Sequence, residues 1–237
     1  MTEHLFKQDA YLKDCDATVT AIHDVGVELD RTVFYAQGGG QTGDRGILTL
    51  GDGTQLSVIN AVNGDEPGSI IHLFAAGATS PAVGTKVIAA IDWERRHKLM
   101  RMHTCMHLLS AILPYPVTGG SVGDTKGRLD FDIPEATLDK EEIIARLAAL
   151  IKADHLVSEE WITDAELDAQ PELVKTMAVK PPSGTGKVRL LRIGDNVDVQ
   201  PCGGTHVKRT GEIGAVEVRK IEKKGRQNRR VNLWFTK

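Results

Sequence analysis

The chain is poor in cysteine, with Cys15, Cys105 and Cys202 the only three in 237 residues. So sparse and odd a set excludes a disulfide framework and leaves a thiol free for metal binding, as in a reducing compartment. Long apolar runs are missing too, which excludes a bilayer-spanning helix, and the start, "MTEHLFKQDAYLKDCDATVT", lacks the basic-then-apolar pattern of a signal peptide. A soluble, cytoplasmic protein is expected, with no membrane partner. Internal repeats and low-complexity tracts are also absent. The net charge of -3 is small, but it hides an asymmetry: residues 201–237 carry ten Lys/Arg against three Asp/Glu, and the rest of the chain 19 against 29. The basic end is a candidate polyanion-facing surface or, equally, a solvated face of basic strands.

What is present falls into two textures. Residues 1–90 hold short strand-like runs, "ATVTAIHDVGVELD", "TVFYA", "GILTL", "QLSVINAV", "SIIHLF" and "GTKVIAAID", broken by Gly, Asp, Asn and Pro turns, a pattern that suits a small β-barrel. From Asp92 the texture changes. An Asp cap followed by Leu99, Met102, Met106, Leu109 and Leu113 at helical spacing predicts a helix of about five turns, stopped by Pro114 and Pro116. A second helix is expected from Thr137 to about Leu156, with Ile144, Leu147 and Ile151 on one face. The strand candidates "GRLDFDI", "HLVSEEWIT", "KVRLLRIG", "NVDVQ", "GAVEVRKIEKK" and "RRVNLWF" make residues 91–237 an α+β domain, helices on a mainly antiparallel sheet.

Within the first helix, "HTCMH" places His103 and His107 at i and i+4, on one helical face. Two histidines so spaced can share a zinc ion, although such pairs are frequent on surface helices without one. "PCGGTH" adds Cys202 and His206, with Gly203 and Gly204 allowing a tight turn that lets both converge on one point. Three histidines and a cysteine suit tetrahedral Zn²⁺ better than Mg²⁺ or Ca²⁺. Cys105 points away from the histidine face and reads as a core residue. His4, His23, His72, His97 and His155 lack partner spacing and read as surface or satisfied core residues.

"HTCMHLLSAIL" followed by "PCGGTHVKRTGEIGAVEV" resembles the editing domain of alanyl-tRNA synthetase and of its freestanding AlaX relatives. "FYAQGGGQTGDRGIL" resembles the glycine-rich segment preceding that domain in the synthetase and in medium-length AlaX proteins. The likeness covers about residues 25–235. The length leaves no room for an aminoacylation domain, so a freestanding editing protein is expected. The resemblance implies zinc on His103, His107, Cys202 and His206, and hydrolysis of serine, with glycine as a further candidate, from mischarged tRNA(Ala). Cys105 and Met106 stand where relatives usually carry small residues. No Glu follows either histidine as in HExxH, so no protein base is named; a water oriented by zinc, the ribose hydroxyl or backbone groups would attack. A non-catalytic, zinc-stabilised tRNA-binding module is the alternative, and a metallohydrolase of a different ester or D-amino acid adduct a third.

Gly38-Gly39-Gly40-Gln41 lacks the Gly-Lys-Ser/Thr ending of a phosphate loop, so ATP is not expected. It reads as a hairpin turn of the barrel or, by the resemblance, as a loop reaching the editing pocket. Thr118 in "PVTGG" stands where the family has a pocket threonine contacting serine, and it reads alternatively as a turn cap. Thr104 is a second candidate. Arg219, Lys220, Lys223, Lys224, Arg226, Arg229 and Arg230 are the candidate tRNA-phosphate contacts.

Overall fold

The computed structural model describes residues 2–133, 138–175 and 186–236. It separates into two compact units, Met1–His97 and Lys98–Lys237. The expected helix start at Thr137 lies outside the described residues.

The first unit contains β1 (Glu3–His4), β2 (Asp14–His23), β3 (Gly26–Leu29), β4 (Arg31–Thr32), β5 (Gly46–Leu50), β6 (Gln55–Asn63), β7 (Ile70–Phe74) and β8 (Lys86–Ile91). Six of them close into a barrel in the order β2-β3-β7-β6-β5-β8, with all six pairings antiparallel. Alternate residues point inward, so Ala17, Val19, Val27, Leu29, Leu48, Val58, Ile70, Val87 and Ala89 fill its core.

"TVFYA" is not a barrel strand, contrary to the sequence expectation: β4 ends at Thr32, and Val33–Ala36 continue as a buried irregular segment. Its backbone finds partners other than a neighbouring strand. Tyr35 N–H donates to Asp44 Oδ2 at 2.7 Å, Phe34 N–H to Thr32 Oγ1 at 3.0 Å, and the Val33 carbonyl accepts from buried Arg96 at 2.7 Å. The Arg96 guanidinium in turn lies on the Asp44 carboxylate, so a buried ion pair replaces the strand ladder here.

The helix α1 (Trp93–Ile112) begins as expected after Asp92, whose side chain caps Arg95 N–H at 3.1 Å. It is followed by β9 (Val117–Val122), β10 (Lys126–Asp132), α2 (Lys140–Lys152), β11 (Val157–Thr163), α3 (Asp164–Asp168), β12 (Lys187–Ile193), β13 (Asp198–Pro201), β14 (Val216–Lys223) and β15 (Asn228–Phe235). These form two antiparallel sheets, β14-β15-β10-β9 and β11-β12-β13.

The helix α2 stops short of Leu156 because Asp154 turns left-handed, φ 51°, its carboxylate accepting Gly211 N–H at 3.0 Å and Arg209 Nε at 2.6 Å. Ile143 and Leu147 are its buried residues, while Ile144 and Ile151 are half-buried. Leu99, Met102, Met106, Leu109 and Leu113 of the predicted α1 stripe are all buried. The helix lies so close on the sheet that a Cβ at Gly127 would sit 2.8 Å from the sulfurs of Met102 and Met106. No described helix is long and apolar enough to cross a membrane.

Candidate metal centre

The two histidines of α1 and the loop after β13 meet. One donor atom from each of His103, His107, Cys202 and His206 falls within 4.8 Å of every other. Cys202 Sγ lies 3.2 Å from His206 Nε2 and 3.6 Å from His103 Nε2. A tetrahedral zinc with Zn–N near 2.0–2.1 Å and Zn–S near 2.3 Å has N···S edges of about 3.5 Å, so these separations fit the ion. The three imidazoles are 5–7 % exposed and Cys202 is half-buried.

Surrounding side chains fix which ring nitrogen His107 and His206 present. His107 Nδ1 lies 3.1 Å from Asp198 Oδ2, which leaves its Nε2 for the cluster. His206 Nδ1 lies 3.2 Å from the buried Thr104 hydroxyl, which also accepts Val207 N–H at 3.3 Å. Asp198 is itself held by Lys175 Nζ at 2.6 Å and Gln200 Nε2 at 2.6 Å. Arg189 grips the cysteine loop: its Nε donates to the Cys202 carbonyl at 2.9 Å, its Nη2 to the Gly204 carbonyl, and its Nη1 to Glu159 at 3.0 Å. Gly204 N–H points at Cys202 Sγ, 3.4 Å away.

The cluster's own charges perturb one another. Burial alone would raise the Cys202 thiol, but the charges of His103, His206 and His107 outweigh it and hold the group well below the ordinary thiol value. Burial works against a charge on His107, yet the Cys202 thiolate and the Asp198 carboxylate raise it to about 9. Burial pushes His206 down to about 3, against the pull of Cys202. Asp198 is opposed by burial but held below the usual carboxylate range by His107, Lys175 and Gln200. A cysteine held towards its thiolate among three imidazoles is a donor set that suits a divalent cation.

Thr104 is fully buried beneath the cluster, its hydroxyl engaged by His206 and Val207. Thr118 sits where the β9–β10 register shifts; its hydroxyl donates to the Asp130 carbonyl at 3.2 Å and accepts from Asn228 Nδ2 at 2.9 Å. Among the described residues it makes no hydrogen bond to the cluster. Gly38 and Gln41 exchange backbone hydrogen bonds of 3.1 and 2.9 Å around Gly39 and Gly40, whose φ of 56° and 85° demand glycine.

Of the basic candidates, Arg230 grips Asp130 at 2.7 and 2.9 Å, Arg229 is buried, Lys220 and Lys224 pair with Glu222, and Arg219 pairs with Glu217 and covers Trp234. Lys223 and Arg226 stand exposed around the β14–β15 turn, without an ion pair among the described residues. Asp198, Gln200 and Arg189 were missed in the sequence. The clue was "DVQPC", where strand alternation puts Asp198, Gln200 and Cys202 on one face.

The fold is a barrel unit joined to an α+β unit whose His₃Cys cluster could hold a metal ion, and comparison narrows the class. The family described as threonyl and alanyl tRNA synthetase second additional domain matches residues 188–232, and class II (A) tRNA synthetases match 5–95, the barrel. The alanyl-tRNA editing protein AlaX-M of Methanosarcina mazei is 34% identical over 240 residues, covering 98% of this chain and 95% of that protein. AlaX-M of Saccharolobus solfataricus is 34% identical, with 98% of each covered. An alanine–tRNA ligase of Pyrobaculum aerophilum is 35% identical over 94% of this chain but 25% of the ligase. The chain belongs to the AlaX-type alanyl-tRNA editing family.

Proposed function

We propose that the chain is a zinc-dependent deacylase that acts in trans on tRNA(Ala) mischarged with serine, and with glycine as a further substrate. The observation that carries this reading is the convergence of four zinc-type donors, the three histidines buried and the cysteine half-buried, in a chain that matches AlaX-M proteins over 95% or more of both lengths. Zinc bound by His103, His107, Cys202 and His206 would supply a Lewis acid and a fixed point for water or substrate. The chain's own residues do the positioning. Asp198 holds the Nδ1 proton of His107, Thr104 orients His206, and Arg189 with Gly204 N–H fixes Cys202. Water adds to the ester carbonyl, the bond to the terminal ribose oxygen breaks, and that oxygen takes the proton. An ester of this kind is already activated, so placement supplies most of the catalysis. Three unpaired cysteines support a cytoplasmic setting.

Four protein donors can also close a zinc site, which favours a second reading, a non-catalytic tRNA-binding module. Time courses with Ser-, Gly- and Ala-tRNA(Ala) in large excess over protein, with and without chelator, decide. Many turnovers on Ser-tRNA(Ala), lost with chelator, with Ala-tRNA(Ala) spared, are expected; tRNA retention without serine release supports the module instead.

A further inference from the structure

Trp161 is 54 % exposed, in the middle of β11, one of the two edge strands of its sheet. The other two tryptophans have partners: Trp93 stacks on His97 under Lys13, and Trp234 lies beneath Arg219. Trp161 has no aromatic or cationic partner among the described residues. An exposed indole offers a flat, amphipathic ring face to a partner.

The neighbourhood is the metal centre's supporting sheet. Trp161 is the cross-strand partner of Arg189, and Cys202 N–H extends the β12–β13 ladder by donating to the Arg189 carbonyl at 3.1 Å. Trp161, Arg189 and Cys202 therefore form one row across the sheet. Opposed residues in an antiparallel pair share a face, and two strand spacings put the Trp161 backbone about 10 Å from that of Cys202. On the same face lie Glu159, which holds Arg189, and Gln200 and Asp198, which hold His107. Lys187, opposite Thr163, puts an exposed cation on that face beside the indole.

We propose that Trp161 is a positioning residue on which an unpaired base at the 3′ end of the tRNA stacks while the ester on the terminal ribose reaches the metal centre. The inference rests on the deacylase reading above and names the surface that receives the single-stranded end. An unpaired base offers a π-face of any sequence to an indole, and a nearby cation suits the phosphate joining it to the next nucleotide. A row that begins at a ligand and ends at an exposed aromatic fits a substrate whose reactive ester and base are joined through one ribose.

The test uses the uncharged trinucleotide CCA, the 3′ end of tRNA, so that binding is read without hydrolysis. Tryptophan emission should be quenched on binding. Trp161→Phe keeps a stacking ring and should bind within a few-fold of the parent with most of the quench gone. Trp161→Ala should weaken binding by about 5- to 100-fold. On Ser-tRNA(Ala), Trp161→Ala should raise KM with kcat largely kept, and zinc content and thermal midpoint should hold. Parent-like CCA binding by Trp161→Ala overturns the proposal. So does sedimentation showing that the substitution splits a dimer, which would assign the indole to an interface between copies. If no tRNA is deacylated but CCA is bound through Trp161, the deacylase reading fails and the stacking surface stands.

Discussion

His107 Nδ1 faces Asp198 Oδ2 at 3.1 Å, across 91 residues of sequence, and the carboxylate is buried with Lys175 and Gln200 as its other partners. A carboxylate in this position fixes the ring's tautomer, raises the basicity of the opposite nitrogen and adds negative charge beside a cation.

Asp198→Asn should therefore weaken zinc binding by about 10- to 100-fold while leaving all four donors in place. Competition with a chromogenic chelator measures it. Affinity equal to the parent's would reduce the Asp198–His107 bond to a packing contact.

Much of this centre was legible in the sequence, and the illegible part has a physical cause. Zinc donors announce themselves by residue type and by local spacing, because helix and turn geometry bring i and i+4 together. Asp198 and Arg189 do not, since a buried Asp in "DVQ" and an Arg in "KVRLLRIG" are ordinary until the register of β12 on β13 is known. The same limit explains the fold differences. "TVFYA" has strand composition, but its backbone partners are side chains, Asp44 just beyond the glycine turn and Arg96 far along the chain, which composition does not reveal. "VTGGSV", absent from the strand candidates, forms β9 through its pairing with β10, and glycine at 120 leaves the room that Leu129 and Met106 take there.

The barrel should show an acid sensitivity of its own. His72 is fully buried between the Thr32 hydroxyl, 2.8 Å from Nε2, and the Val27 carbonyl, 3.2 Å from Nδ1. Burial lowers its pKa from 6.5 to about 4, against a smaller opposite pull from Val27. Between those values the unfolded chain binds a proton that the folded barrel refuses, so stability is full above pH 6.5 and lost as pH falls towards 4. The window corresponds to about 3 kcal/mol. His72→Gln should make the slope of unfolding free energy against pH shallower there by about 1.4 kcal/mol per pH unit. An unchanged slope would mean that the proton is taken up elsewhere.

The basic C-terminal strands should divide into structural and available cations. Lys223→Ala with Arg226→Ala should flatten the dependence of log affinity for tRNA on log salt by about 1–2 and leave zinc content intact. Arg230→Gln should instead cost stability, because it strips Asp130 of a two-pronged partner. Filter-binding titrations at several salt concentrations, paired with melting curves, separate the two. If the double substitution leaves the slope unchanged, the β14–β15 turn is a solvated face.

Discrimination between serine and alanine turns on one hydroxyl, and a pocket that hydrogen-bonds it can separate the two esters by roughly 10⁴–10⁵. Thr118 is the threonine that the family resemblance offers for this task. Its own hydroxyl, however, already donates to the Asp130 carbonyl and accepts from Asn228, across the irregular β9–β10 pairing. Thr118→Val keeps the shape and removes both bonds. If the hydroxyl works for the sheet, the variant should lose about 0.5–1.5 kcal/mol of stability, hydrolyse Ser-tRNA(Ala) at the parent rate and still spare Ala-tRNA(Ala). If it reads the substrate, the same change should slow Ser-tRNA(Ala) hydrolysis by about one to two orders of magnitude, since an unsatisfied partner costs roughly 1–3 kcal/mol. The arrangement of partners around Thr118 favours the first outcome, and single-turnover rates on the two charged tRNAs, set beside a urea melt, distinguish them.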